Sequence, residues 1–332
     1  MMHKTPTLPI PLSPFRTTIG ADLETAATWL RAGESVGIPT ETVYGLAANA
    51  LDPAAAVKIF EVKNRPAFDP LIVHLPDIAA VDLYAAEFPA AARVLAERFW
   101  PGPLTLLLPK RDNIPDLITS GLPRVALRVP AHPVALALLR RLAFPLAAPS
   151  ANPFGYISPT TAQHVYDQLA GRIPYILDGG PSTVGVESTI VGFEAGVPVV
   201  YRLGGLALED IESSVGPVKI QLNQSSNPAA PGMLLSHYAP RKPLHLIENG
   251  NTPPFKTGVK TGFIAFQRRN NLPADVIQTP LSENGDIAEA AQHLFAALRA
   301  LDQSDVDLIF AEKCPETGLG RAINDRLTRA AL

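Results

Sequence analysis

Cysteine is almost absent from this 332-residue chain, Cys314 being the single one. One thiol excludes an intrachain disulfide framework and every multi-cysteine zinc module. Charge is sparse, at 18% of residues, and nearly balanced, with 28 basic against 31 acidic side chains. A protein that coats nucleic acid by bulk charge needs a strong basic excess, so that class is excluded, whereas a local basic groove is not. Long apolar runs are missing too. The longest, Val134 to Ala148, is interrupted by Arg140, Arg141 and Pro145 and cannot form a membrane span. The opening stretch, MMHKTPTLPIPLSPF, has prolines where a secretory signal needs an apolar centre. The expectation is a cytoplasmic enzyme or binding protein, with no membrane association.

The usual nucleotide and metal signatures are also missing. There is no G-x-x-x-x-G-K-[ST] phosphate loop and no H-E-x-x-H, and the seven histidines are scattered. Gly318-Leu-Gly320 begins like a dinucleotide fingerprint, but Ile323 stands where the third glycine belongs and no strand directly precedes it. A nucleotide, if bound, must be held by another device.

What is present is a globular composition, 47% hydrophobic, and enough length for two domains. Residues 1–16 read as a proline-rich tail. From 17 to 216 strands and helices mix, which predicts an α/β sheet with mixed strand directions. Helices are expected at about 21–32, from Asp52-Pro53 to before Pro66, near 77–85, and at 89–99, 133–142 and 161–170. Strands are expected at about 35–38, 70–74, 124–129, 145–149, 174–178, 187–193 and 197–202. Residues 217–240 read as an interdomain linker, because periodicity gives way to Gln, Asn, Ser, Pro and Ala from 217 to 231. Between 241 and 332, strands at about 243–248, 262–266 and 306–311 alternate with helices at 286–301 and 319–331, the pattern of a smaller Rossmann-like domain.

Six segments have side chains suited to chemistry. Pro39-Thr-Glu-Thr-Val-Tyr-Gly-Leu46 runs from a strand end into a hydroxyl-rich turn whose glycine permits close backbone approach. Lys63-Asn-Arg65-Pro66 closes a helix; it would serve equally to complement the helix dipole or to clamp phosphate with a point charge and a planar fork. Asp69 and His74 lie just beyond. In Arg124-Val-Ala-Leu-Arg-Val129, Val125, Leu127 and Val129 share one face, and the two arginines share the other, roughly 13 Å apart by strand rise. That polar face is either solvated or holds an anion, Arg128 being suited to a carboxylate. Ala148-Pro-Ser150-Ala-Asn152 and Ser158-Pro-Thr160 offer hydroxyl, amide and backbone donors, or are ordinary turns. Gly185-Val-Glu-Ser188-Thr189 and Tyr201-Arg202-Leu-Gly-Gly205 complete the set.

In this order, the strings PTETVYGL (39–46), KNRP (63–66), PLIVH (70–74), WPGPLT (100–105), VALRVPAHP (125–133), APSAN (148–152), SPT (158–160), DGG (178–180), GVEST (185–189) and RLGG (202–205) resemble the YrdC-type threonylcarbamoyl-adenylate synthases. APGMLLSHYAP (230–240) and GLGRAINDRLTRAA (318–331) resemble the joint and the end of that family's long, two-domain form. The resemblance implies a YrdC-like twisted sheet around a large, positively lined concave cavity, followed by the smaller domain. It implies that L-threonine, bicarbonate and ATP give threonylcarbamoyl-AMP and pyrophosphate. The product feeds tRNA-modification machinery that builds threonylcarbamoyladenosine beside the anticodon, with an RNA contact left open.

Carried over by position, the family's ATP contacts fall on Lys63, Arg65, Asp69, Arg124, Ser150, Asn152, Ser158, Arg202, His237 and Tyr238. Its threonine contacts fall on Thr40, Thr42, His74, Arg128, Ala148 and Ser188. No side-chain nucleophile is implied; Lys63 and Arg65 would stabilise charge. Mg²⁺ would be held mainly by ATP phosphates and water, with no dedicated protein metal site. Asp69 stands where the family commonly has asparagine, and Leu203 where it commonly has proline. Three rival readings are a non-catalytic RNA-binding module, a ligand-sensing regulator, and a carbamoyl-transfer enzyme of hydrogenase maturation. The last would require cysteine-rich zinc modules that one cysteine cannot supply.

Overall fold

Helices begin where a short polar side chain can accept from the unpaired amides of a first turn. Asp22 accepts from the Thr25 amide to start α1 (Leu23–Arg31), and Asp52 accepts from that of Ala54 to start α2 (Pro53–Lys63). Asn64 then ends α2 in the left-handed conformation, at φ 52°. The further helices are α3 (Ala90–Phe99), α4 (Asp116–Thr119), α5 (Pro133–Leu139), α6 (Ala162–Leu169), α7 (Leu208–Val215), α8 (Ile287–Gln303) and α9 (Gly320–Ala330). Asp286 caps α8 through the Glu289 amide. The expected helix near 77–85 is a 3-10 segment, Ile78–Leu83, which Asp77 caps through the Ala80 amide. These features belong to a computed structural model that describes residues 15–222, 230–233, 235–270 and 272–332. Most of the expected tail and the centre of the expected linker lie outside the described residues.

The strands are β1 (Thr18–Gly20), β2 (Val36–Ile38), β3 (Gly45–Asn49), β4 (Ile72–His74), β5 (Leu104–Pro109), β6 (Arg124–Arg128), β7 (Leu146–Ala147) and β8 (Tyr175–Leu177). They continue with β9 (Thr189–Glu194), β10 (Val197–Arg202), β11 (Lys219–Ile220), β12 (Leu244–Ile247), β13 (Thr261–Gln267), β14 (Val276–Ser282) and β15 (Leu308–Glu312). The first eleven form one mixed sheet in the order β1-β8-β2-β3-β7-β4-β6-β5-β9-β10-β11. Lys219–Ile220, inside the segment read as a linker, pairs parallel to β10. The alternation in β6 holds: Val125, Leu127 and Val129 join the main apolar core, while Ala126 belongs to a separate cluster with Ile72, Tyr201 and Met233.

The smaller domain is a parallel sheet in the order β12-β15-β13-β14. It gains β14, which Pro280 and a half-exposed pattern had hidden. The two domains share one apolar cluster, in which Val43, Ile157 and Val186 of the first pack with Tyr238, Leu294, Phe295 and Leu298.

Candidate functional site

Parallel pairing of β4 with β6 sets His74 in register with Arg128 at one end of the large sheet. The hydroxyl turn before β3, the turn after β7, the entry to β9 and the end of β10 converge on the same place. The resulting pocket is bounded by residues from all of these segments. Its wall includes Thr40, Thr42, Arg65, His74, Arg128, Ala148, Ser150, Ser188, Arg202, His237 and Tyr238, so eleven of the expected site residues meet in one cavity.

Each arginine there is held by neighbours. Arg65 donates Nε to the Asp69 carbonyl at 3.1 Å and Nη2 to the Pro70 carbonyl at 2.9 Å, and its Nη2 lies 2.8 Å from the Asp69 carboxylate. Asp69 is fully buried, and its other oxygen accepts from the Gly232 amide at 3.3 Å. An acid at this position therefore orients Arg65 and tethers the linker at Gly232. Arg128 is 2.7 Å from the Glu41 carboxylate, both side chains being buried. Arg202 donates to the Ser188 carbonyl at 3.0 Å, to Ser188 Oγ at 3.1 Å and to the Pro231 carbonyl at 3.4 Å. Burial pulls the Arg202 guanidinium down to about 10, against the opposing pull of Tyr238. His74 falls to about 3 because it is buried and faces Arg128, so it is neutral at physiological pH.

The hydroxyls are ordered as well. Thr40 Oγ1 and Thr42 Oγ1 are 2.8 Å apart, and Ser188 Oγ lies 2.7 Å from Thr105 Oγ1. Gly204, the first glycine after Leu203, matters because a Cβ there would stand 2.3 Å from the Glu187 carbonyl oxygen. Only a bare Cα lets the end of β10 lie against the 187–189 backbone. From the far side, His237 donates its amide to the Arg329 carbonyl, and Tyr238 packs against Phe295 of α8 with ring centroids 5.4 Å apart.

Five expected residues do not line this cavity. The Lys63 ammonium is buried and binds the backbone carbonyls of Ser150 and Asn152. Burial, with Arg65 adding to it, holds its pKa well below the usual lysine range. Asn152 donates to the Pro153 and Tyr156 carbonyls, bracing that turn from behind. Asp69 acts through Arg65, and Ser158 donates to Glu187 at 2.6 Å. Arg124 stacks over Tyr201, 5.0 Å from the ring centroid, and donates to its hydroxyl at 3.0 Å. Conversely, Glu187, Pro231 and Gly232 are in the wall without having been expected there. Glu187 lay in a string singled out for its hydroxyls; a carboxylate between glycine and two hydroxyls was the available signal.

A family model described as "Telomere recombination" matches residues 28–204, and one described as "Threonylcarbamoyl-AMP synthase, C-terminal domain" matches residues 206–332. The threonylcarbamoyl-AMP synthase of Bacillus subtilis is 43% identical over 92% of this chain and 92% of its own length. That of Pyrococcus abyssi is also 43% identical, over 92% of this chain and 93% of its own. The crystal structure of P. abyssi Sua5 complexed with L-threonine superposes with a TM-score of 0.87 and 40% identity, covering 96% of this chain and 98% of that one. Escherichia coli YciO, 22% identical with a TM-score of 0.50, covers 58% of this chain and shares the fold of that part. With both domains matched over nearly their whole length, the chain belongs to the threonylcarbamoyl-AMP synthase family in its two-domain form, enzymes of the adenylyl-transferring kind.

Proposed function

We propose that this pocket joins L-threonine, bicarbonate and ATP into threonylcarbamoyl-AMP, releasing pyrophosphate. The observation that supports it most is the convergence of Arg65, Arg128 and Arg202 with Thr40, Thr42, Ser150 and Ser188 on one cavity. Threonine's amine attacks the bicarbonate carbon, a C–O bond breaks and water leaves, giving the carbamate. A carbamate oxygen then attacks the α-phosphorus, and the bond to the pyrophosphate leaving group breaks. This needs no protein nucleophile, so positioning and charge stabilisation carry the catalysis.

In this reading Arg128, Thr42, His74 and Ser188 hold threonine, with Thr40 and Ala148 beside them. Neutral His74 adds no second charge next to Arg128. Arg65, Ser150 and Arg202 hold the phosphates and nucleotide, with His237 and Tyr238 against them. Lys63, Asp69, Asn152 and Ser158 act from behind by fixing these groups, and Arg124 stays with Tyr201. Magnesium fits as a companion of the triphosphate, since Asp69 and Glu187 are already engaged by protein donors. When bound it would neutralise phosphate charge. The product would pass to tRNA-modification machinery in the cytoplasm.

The test is a mixture of chain, ATP, threonine and bicarbonate, followed by mass analysis. The expected result is the mixed anhydride, with pyrophosphate release that requires all three substrates. Release independent of threonine or bicarbonate would remove this reading.

A further inference from the structure

Glu187 is an anion in the wall of a cavity assigned to a polyanion. It is 7% exposed and stands beside Ser188 and Arg202. Its Oε1 accepts from Ser158 Oγ at 2.6 Å, and its Oε2 accepts from Arg326 Nε at 2.8 Å. Arg326 comes from α9 of the C-terminal domain and is completely buried. It also donates Nη2 to the Leu203 carbonyl at 2.8 Å, pairs with Asp325, and lies 5.3 Å from the ring centroid of Tyr238. Burial favours a protonated Glu187, but Arg326, Arg202 and the hydroxyl of Ser158 outweigh it and pull the carboxyl down to about 2. The wall therefore holds a full negative charge. Left alone, that charge would repel phosphates and compete with Ser188 for Arg202.

We propose that Arg326 is a positioning residue for the adenylylation pocket, cancelling the charge of Glu187 and aiming its free oxygen at Ser158, and that this is how the C-terminal domain takes part in catalysis. The inference rests on ATP binding in the pocket as read above. Arg326 touches no substrate. It removes a repulsive charge from the anion path and fixes one hydroxyl beside it. The competing account is that the pair merely fastens the two domains. The two accounts part on the sign of the effects. Loss of Arg326 leaves the buried Glu187 without its cationic partner, and loss of Glu187 leaves Arg326 to Asp325 alone; either weakens the fold. Only the electrostatic role makes the two losses act oppositely on ATP.

The experiment uses full-length protein and measures initial pyrophosphate release against ATP, at saturating threonine and bicarbonate, alongside melting temperature. Arg326→Met should raise the KM for ATP on the order of tenfold, the effect of one uncompensated charge near a binding site. Glu187→Gln should lower it or leave it unchanged, although both variants melt earlier than the wild type. Combining them should return the KM for ATP to within about threefold of the wild type, since neither charge remains. Movement of both single variants in the same direction overturns the proposal, as does an unchanged KM for ATP in Arg326→Met. If Arg326→Met does not fold, Glu187→Gln decides the matter: a lowered or unchanged KM for ATP supports the inference, and a raised value overturns it. A wild-type chain that releases no pyrophosphate under these conditions would instead fail the functional reading.

Discussion

The pocket has two kinds of wall. One is self-sufficient: Thr40, Thr42, Arg65, His74 and Arg128 are held by neighbours in the first domain, through Asp69, Glu41 and the β4–β6 register. The other is borrowed. The loops at 150–158 and 185–188 are gripped by helices of the second domain. Arg299 of α8 binds the carbonyls of Ile157 and Ser158, Asp302 accepts from Tyr156, and Arg326 of α9 binds Glu187. The difference teaches that the second domain need not touch substrate to matter; it sets the shape of half the site.

Removing the borrowed wall should have the largest effect. A chain ending at Gly216 should release no measurable pyrophosphate, while circular dichroism still shows a folded α/β protein. Full turnover in that truncation would erase the distinction between the walls.

Acid should act next, on the self-sufficient wall. His74 is depressed from 6.5 to about 3, so between those values the unfolded chain takes up a proton that the folded chain refuses. Stability should be flat above about pH 6.5 with respect to this group and fall on acidification, by an amount of order 4 kcal/mol once pH 3 is reached. His237 and His164, both lowered mainly by burial, act in the same direction. Denaturant midpoints measured from pH 7 to pH 4 should decline less steeply in His74→Gln than in the wild type, and equal slopes would contradict this assignment.

Arg65→Ala should cut kcat/KM for ATP by about a hundredfold or more, the scale of losing one preorganised charge-stabilising donor. It also strands a buried Asp69, so its melting temperature should drop; Arg65→Ala with Asp69→Asn should recover stability without recovering activity. Recovery of both would make Arg65 a purely structural residue. The smallest effect should come from Tyr156→Phe, which deletes one hydrogen bond, 2.5 Å long, onto Asp302 of α8. About 1 kcal/mol of stability should be lost, read from urea midpoints, with the KM for threonine unchanged.

Local features of the self-sufficient wall were legible in the sequence, although its Arg128–Glu41 pair, 87 positions apart, was not. Asp52-Pro53 sets where α2 starts, Pro66 sets where it ends, and alternation from 124 to 129 puts the arginines on one face. The borrowed wall was not, because its partners are far apart along the chain: Arg326 and Glu187 are separated by 139 positions, and Arg299 and Ile157 by 142. No periodicity encodes such a pairing. The carbonyl contacts of Lys63 were not legible for a related reason. Its charge suggested phosphate, but the carbonyls it meets belong to a turn nearly ninety positions later. The strands β5 and β14 were hidden by their prolines, which sit at the end of one and within the other.

Gly185 stands at φ 80°, and a Cβ there would be 2.3 Å from the Cα of Gln292 on α8. The surface of the first domain is thus moulded to one particular helix backbone, with no clearance for even a methyl group. For a gene recombining near the linker, the second half is therefore not interchangeable cargo. A crossover would keep this contact only where the incoming helix meets a glycine shaped for it.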